Sequence, residues 1–106
     1  MKIKLLVIRC KDIKKSRQFY EQLGHGFIEE KHENGPVHYS SVREGFVFEL
    51  YPAQKSEKDN TRLGFEVENL ELLGSEIEVV EIIEHNNVKV KVAIDPDGRK
   101  IELYEK

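Results

Sequence analysis

Cysteine is nearly absent: Cys10 stands alone. One thiol cannot close a disulfide within the chain, so packing has to hold the fold together, and the expected compartment is the reducing cytoplasm. An excess of positive charge is absent as well. The formal net charge is −3 and the pI is near 5.8. Lys14, Lys15 and Arg17 form no basic patch, because apolar residues are interleaved with them. Nucleic acid is therefore not an expected partner. There is no long hydrophobic run either. The apolar-rich stretch over residues 3–8 is too short for a membrane span or for the apolar segment of a secretory leader, so it reads as a strand, and neither a leader nor a membrane partner is expected. The sequence also lacks a Gly-rich phosphate loop, a Cys-x-x-Cys pair and a Ser-His-Asp order.

What is present is a repeat. The chain has 106 residues, 39% hydrophobic and 35% charged, which suits one globular domain or two very small modules sharing a core. Asp95-Pro96-Asp97-Gly98 is a turn with a mechanism: Pro96 fixes φ, the aspartates bond nearby backbone, and Gly98 supplies positive φ. The strand after it alternates, with Ile101 and Leu103 on one face and Lys100, Glu102 and Tyr104 on the other. Glu44-Gly45-Phe46-Val47-Phe48-Glu49-Leu50-Tyr51 repeats that layout, down to the Glu-Leu-Tyr ending. The stretch Arg9 to Ile13 likewise matches Glu66 to Leu70, so the chain reads as two copies of one unit.

The first unit reads as a strand over 3–10, an Asp12 N-cap, a helix over 13–23 stopped by Gly24, and strands over 27–31, 37–42 and 46–51, with Asn34-Gly35 as a hairpin turn. Residues 53–60 are polar and read as a linker. The second unit reads as a strand over 62–67, an Asn69 cap, a helix marked by Leu70, Leu72, Leu73 and Ile77, and strands over 78–84, 88–94 and 100–104. Gly74 weakens that second helix by roughly 1 kcal/mol relative to Ala. The expected fold class is α+β: two tandem βαβββ modules, about 1–52 and 61–106, in a single domain spanning 1–106.

Strand parity divides the side chains into two faces. Leu6, Ile8, Cys10, Phe46, Phe48, Leu50, Leu63, Phe65, Val67, Val90, Val92, Ile94, Ile101 and Leu103 are expected under the helices. Leu5, Val7, Arg9, His38, Ser40, Val47, Glu49, Tyr51, Arg62, Gly64, Glu66, Lys91, Lys100, Glu102 and Tyr104 form a mixed, charged face. Cys10 falls on the core side, as an inert small hydrophobe.

Lys11-Asp12-Ile13-Lys14-Lys15-Ser16-Arg17-Gln18-Phe19-Tyr20-Glu21-Gln22-Leu23-Gly24, together with Asp95 to Leu103, resembles the vicinal oxygen chelate superfamily of glyoxalases, bleomycin-resistance proteins and extradiol dioxygenases. The resemblance covers almost the whole chain and is specific for fold, not for activity. It implies cupped mixed sheets with helices outside and a ligand cavity inside. In metal-dependent members a His on the first strand of each unit and a Glu on the last hold a divalent ion. Carried over by position, the glutamates are Glu49 and Glu102, while the histidine positions hold Leu5 and Arg62. Leucine cannot ligate and a guanidinium repels a cation. No metal or other cofactor is therefore expected, and Glu49 and Glu102 would be ligands only if a site survives.

The expected role of the two glutamates is structural pairing with Arg62, whose charge would replace that of a metal between two carboxylates. Arg9, Arg62, Lys91 and Lys100 could hold an anionic group or simply form a solvated, charge-compensated face. Tyr51 and Tyr104, at matched positions, could flank a flat ligand or merely cover the rim. His38 could act as a base or be a hydrogen-bonded bystander. Val47 completes the cavity candidates. The leading expectation is a small-ligand-binding protein lacking the usual metal, and forming a homodimer because two short modules bury little area alone. The alternatives are a glyoxalase-, epimerase- or dioxygenase-like enzyme with an altered ligand set, and a non-catalytic structural or interaction protein.

Overall fold

The computed structural model describes residues 1–55 and 59–106. Its elements are β1 (Leu5–Cys10), α1 (Ile13–Gln22), β2 (Ile28–Glu30), β3 (His38–Arg43), β4 (Phe46–Pro52), β5 (Leu63–Val67), a 3₁₀ turn (Leu70–Leu72), β6 (Val79–His85), β7 (Val88–Ile94) and β8 (Lys100–Glu105). Two four-stranded sheets result, with orders β1-β4-β3-β2 and β5-β8-β7-β6. In each, the first and last strands of the module pair in parallel and the remaining pairs are antiparallel. The α+β class and the duplicated plan expected from the repeat are both present. No helix among the described residues is long and apolar enough to cross a membrane. Of the stretch 53–60 read as a linker, residues 56–58 lie outside the described residues.

Helix α1 follows from local chemistry. The Asp12 carboxylate accepts from the backbone N–H groups of Lys14 and Lys15 at 3.1 and 3.2 Å, filling two of the unpaired donors of the first turn. Ser16, Phe19 and Tyr20 lie on its buried side. Gly24, at φ +106°, ends it in a conformation that side chains disfavour. The Arg43 guanidinium donates to the Gly24 carbonyl at 2.8 Å and so ties β3 to the helix end. The ring of Tyr20 meets Phe48 of the first sheet at 5.1 Å and Phe65 of the second at 5.9 Å. One core therefore serves both modules, with Ile8, Cys10, Leu50, Ile101 and Leu103 buried in it.

The second module departs from its copy in two respects. The expected helix is a single 3₁₀ turn. Asn69 caps it as anticipated, accepting from the Glu71 N–H at 2.8 Å, but Leu73 is already extended, and Gly74-Ser75 follows. One capped turn cannot nucleate a helix that has so little chain ahead of it. Leu70 and Ile77 are buried, whereas Leu72, expected on the same stripe, is 79% exposed.

Strand β7 also has the opposite phase to the one parity suggested. Val90, Val92 and Ile94 stand opposite Tyr104, Glu102 and Lys100, whereas Lys91 and Ala93 stand opposite Leu103 and Ile101. Val90, Val92 and Ile94 thus share the face of Glu102. Lys91 leaves the other face, where its stem lies along the sheet and its ammonium donates to the Leu70 carbonyl at 3.3 Å.

The Asp-Pro-Asp-Gly turn is the joint between modules. The Asp95 carboxylate accepts from the N–H groups of Asp97 and Arg99 at 2.9 Å each, and from the Tyr20 hydroxyl at 2.6 Å. Asp97 accepts from the Lys11 N–H at 2.9 Å. Arg99 is 1% exposed; it donates to Asp95 at 3.0 Å, to Asp59 at 2.7 Å and to the Arg9 carbonyl at the end of β1. Burial opposes the charge on Arg99, but the Asp59 and Asp95 carboxylates hold it protonated. Asp59 is drawn down to about 2 by its hydrogen bonds from Thr61 and by Arg99.

Candidate functional site

Each sheet has one face on the shared core and one turned away from it. On the outer face of the first sheet, strand register arranges the side chains in rows. Leu5, Val47 and Val42 lie side by side; next come Val7, Glu49, Ser40 and Ile28. Beyond them, Arg9 is paired with Tyr51, and Glu30 with His38. The Tyr51 and His38 rings join the two pairs by stacking, with centroids 4.1 Å apart and planes 9° from parallel. The Arg9 guanidinium sits over the Tyr51 ring at 4.9 Å. This face carries an apolar end (Leu5, Val7, Ile28 and Val42, all exposed) and a polar end.

The outer face of the second sheet carries Arg62, Lys100, Glu102 and Tyr104 over a floor of Val90 and Val92. The Arg62 Nε donates to Glu102 Oε2 at 2.5 Å, and the Tyr104 hydroxyl donates to Oε1 at 2.7 Å. Both carboxylate oxygens are engaged. The hydrogen bond from Tyr104, and after it the one from Arg62, holds the Glu102 carboxyl below its ordinary range, and Glu102 in turn raises the Tyr104 phenol.

Arg62 does not bridge the two glutamates. It pairs with Glu102, while Glu49 lies 3.8 Å from His38 Nε2. The reason is geometric: Glu49 and Glu102 belong to different sheets, each on the face away from the common core. Of the sequence-selected candidates, Arg9, His38, Val47, Glu49 and Tyr51 come together on the first sheet. Arg62, Lys100, Glu102 and Tyr104 come together on the second, and Lys91 is on the opposite face of that sheet.

His38 is the surprise of the first cup. It is 1% exposed, not a solvated strand residue. Its Nδ1 faces the Pro36 carbonyl at 3.2 Å, and its Nε2 has no hydrogen-bond partner among the described residues. Glu30 and His32, which the sequence reading left out of the site, stand beside it. Asn34-Gly35 misleads about Glu30: a two-residue turn there would set Lys31 across from His38, whereas the observed turn runs from His32 to Gly35, with Glu33 at φ +49°, and sets Glu30 there instead.

A cleft of about 550 Å³ lies elsewhere, between the modules, lined by Leu6, Leu23, His25, Phe46, Phe65 and Arg62, among others. His25 packs against Phe48 and Phe65 at 5.2 and 4.8 Å. Burial, and secondarily the Arg43 charge, pushes the His25 imidazole down to about 4, so it is neutral at pH 7. Burial likewise pushes the Cys10 thiol up to about 11, which leaves it inert near neutrality.

The arrangement matches known proteins in fold. The chain aligns with lactoylglutathione lyase from Agrobacterium tumefaciens at a TM-score of 0.72 and 15% identity, covering 98% of this chain and 92% of that one. A glyoxalase/bleomycin resistance protein from Catenulispora acidiphila aligns at a TM-score of 0.71 and 19% identity, covering 98% and 97%. A superfamily member from Sphaerobacter thermophilus aligns at 0.73 and 15% identity, covering 100% and 98%. At such identities the likeness is one of fold alone. No curated protein matches the sequence. A family model described as Glyoxalase/Bleomycin resistance protein/Dioxygenase superfamily matches residues 2–103, nearly the whole chain. With two β-α/3₁₀-β-β-β modules in matching strand order, the chain belongs to the glyoxalase/bleomycin resistance protein/dioxygenase superfamily.

Proposed function

We propose that this chain is a cytoplasmic, homodimeric protein that binds a small anionic molecule in its cup without a metal at the four positions the superfamily uses. The observation that carries the reading is the Arg62–Glu102 pair at 2.5 Å. The residues at the four positions do not fit a divalent ion: Leu5 offers no lone pair, and Arg62 puts a fixed cation on the remaining carboxylate of its sheet. Arg62 is 43% exposed in this pair. An ion pair so open to water is worth at most about 1 kcal/mol, so a ligand anion can draw the guanidinium away at little cost. Tyr104 and Lys100 beside it would supply a flat wall and a second cation.

The dimer is supported by the exposed apolar end of the first cup, where Leu5, Val7, Ile28 and Val42 share one face. A second copy is the occupant that would close both cups at once.

Thermal-shift titration with benzoate and phenyl phosphate, each a flat ring bearing an anion, tests the reading. Wild-type protein should be stabilised, and Arg62→Ala should lose most of that shift while keeping its own melting temperature. A shift that Arg62→Ala leaves unchanged, or a chain that sediments as a monomer at all concentrations, contradicts it.

A further inference from the structure

His38 has a donor set around it, Glu30, His32 and Glu49, of which only Glu49 stands at a superfamily metal position. A carbonyl can only accept, so the Pro36 oxygen 3.2 Å from Nδ1 places the proton on Nδ1. Nε2 then carries the lone pair. It points between Glu30 Oε1 and Glu49 Oε2, each 3.8 Å away, and bonds to neither. Adding a proton to Nε2 does not resolve the matter, because both carboxylates remain beyond hydrogen-bond reach. His32 stands over the same point, its ring centroid 5.1 Å from that of His38. One ligand atom from each of Glu30, His32 and His38 lies within 4.8 Å of the others.

We propose that Glu30, His32 and His38, with Glu49 as a fourth donor, form a binding site for a divalent transition ion of the zinc class. Donor atoms around tetrahedral zinc stand about 3.3 Å apart, so side-chain movements on the order of 1 Å bring Glu30, His32 and His38 onto one ion, and Glu49, 3.8 Å from Nε2 but outside that close group, would swing in as the fourth donor. Two imidazoles with carboxylates select zinc, cobalt or nickel over calcium or magnesium, which take all-oxygen sets. The supporting contacts are those that a ligating histidine needs. Nδ1–H donates to a backbone carbonyl, which sets the tautomer, and the Tyr51 ring stacked at 4.1 Å fixes the plane. The protein part is graded in burial: His38 is sealed, Glu49 and Glu30 are 16% and 30% exposed, and His32 is open to solvent. An ion can enter from the His32 side. Of the four donors, Glu49 alone stands at a position the superfamily uses for metal. The site lies on the opposite module from Arg62 and Glu102, so the Arg62→Ala thermal-shift test and the metal titration can fail separately.

The test is metal titration of tag-free protein stripped with chelator and desalted. Wild-type protein should take up about one Zn²⁺ per chain and rise in melting temperature, and Co²⁺ should give the intense visible bands of a site with four or five donors. Glu30→Gln and His32→Ala, both at accessible positions, should weaken the ion by roughly tenfold or more while leaving the metal-free melting temperature unchanged. His38→Gln should abolish uptake; because that change also disturbs the buried stack, the two accessible variants decide the matter. Glu102→Gln and His85→Ala should bind as wild type. Absence of uptake at about 100 µM Zn²⁺, an affinity unmoved by Glu30→Gln and His32→Ala, or a loss in Glu102→Gln or His85→Ala overturns the proposal.

Discussion

Replacing Arg99 by Met keeps most of the side-chain volume and removes the charge at the joint between modules. The structure sets the size of the effect. Arg99 donates to Asp95 at 3.0 Å, to Asp59 at 2.7 Å and to the Arg9 carbonyl, and Asp97 lies 3.5 Å away. The Asp95 side chain is 0% exposed, so without Arg99 its charge has no counter-ion and no water. Breaking a buried pair from one side costs about 3–5 kcal/mol. Asp95 keeps the Tyr20 hydroxyl at 2.6 Å and two backbone N–H groups at 2.9 Å, which places the expected loss at the lower end, about 3 kcal/mol.

Such a loss is a large share of the roughly 5–15 kcal/mol that holds a small domain folded. The chain has no tryptophan, so urea unfolding followed by far-UV circular dichroism is the assay. Tyr20→Phe removes one hydrogen bond to the same carboxylate and should cost about 1.5 kcal/mol. Combining Arg99→Met with Asp95→Asn should cost less than the sum of the two single changes, by about 1–3 kcal/mol, because the stranded charge is then gone. A loss below about 1 kcal/mol for Arg99→Met, or additivity in the double variant, would refute the reasoning that this turn clamps the modules through a buried charge.

Acid should weaken the fold through His25. Its folded value of about 4 lies below the ordinary 6.5, so between those limits the unfolded chain binds more protons and stability falls as pH drops from 6.5 toward 4. With its partial exposure discounted, the loss is on the order of 2 kcal/mol, read as the difference in urea stability between pH 7 and pH 4.5 and reduced in His25→Phe. Cys10, with its thiol pushed up to about 11, should resist a disulfide reagent at pH 8 in the native state and react at the rate of global unfolding; rapid native labelling would contradict its burial.

The parts of this fold that the sequence made legible are those set by neighbours along the chain. Asp12 and Gly24 bracket α1 because a capping carboxylate and a positive-φ residue act locally. The hairpin expected at Asn34-Gly35 is centred one residue earlier, on Glu33-Asn34, inside a longer connection between β2 and β3. The parts it hid depend on distant elements. In β7 both phases carry apolar residues, Val90 and Val92 against Ala93, so alternation alone cannot say which phase meets the core. The second helix stops after one turn, with Leu73 extended and Gly74 next; the Asn69 cap and the buried Leu70 were legible, but Leu72 faces solvent. In the sites, Arg62 was rightly paired with a glutamate, but pairing it with both required the two cups to coincide. The His38 cluster needed two registers at once, β2 on β3 and β3 on β4; the Asn34-Gly35 signature misplaces the first by one residue, and nothing in the turns marks the second.

The duplicated plan makes the divergence of the two glutamates interpretable. Glu49 and Glu102 occupy the same place on equivalent strands, β4 and β8, each paired in parallel with the first strand of its module. A carboxylate on a half-covered sheet face needs a compensating charge or donor, and the two modules supply different ones. Beside Glu102 the compensation is permanent: a guanidinium stays protonated at any working pH, and the tyrosine hydroxyl takes the second oxygen. Beside Glu49 it is incomplete, since the nearest group is an imidazole nitrogen 3.8 Å away, beyond hydrogen-bond reach. The one scaffold therefore presents an electrostatically closed cup, which a ligand anion can enter only by displacing Glu102 from Arg62, and an electrostatically open one. Exchanging them tests this asymmetry directly. Arg62→His should make the second cup's charge depend on pH near neutrality, whereas the wild-type Arg62–Glu102 pair should persist, by NMR titration of the Glu102 carboxyl, until acid protonates Glu102 itself.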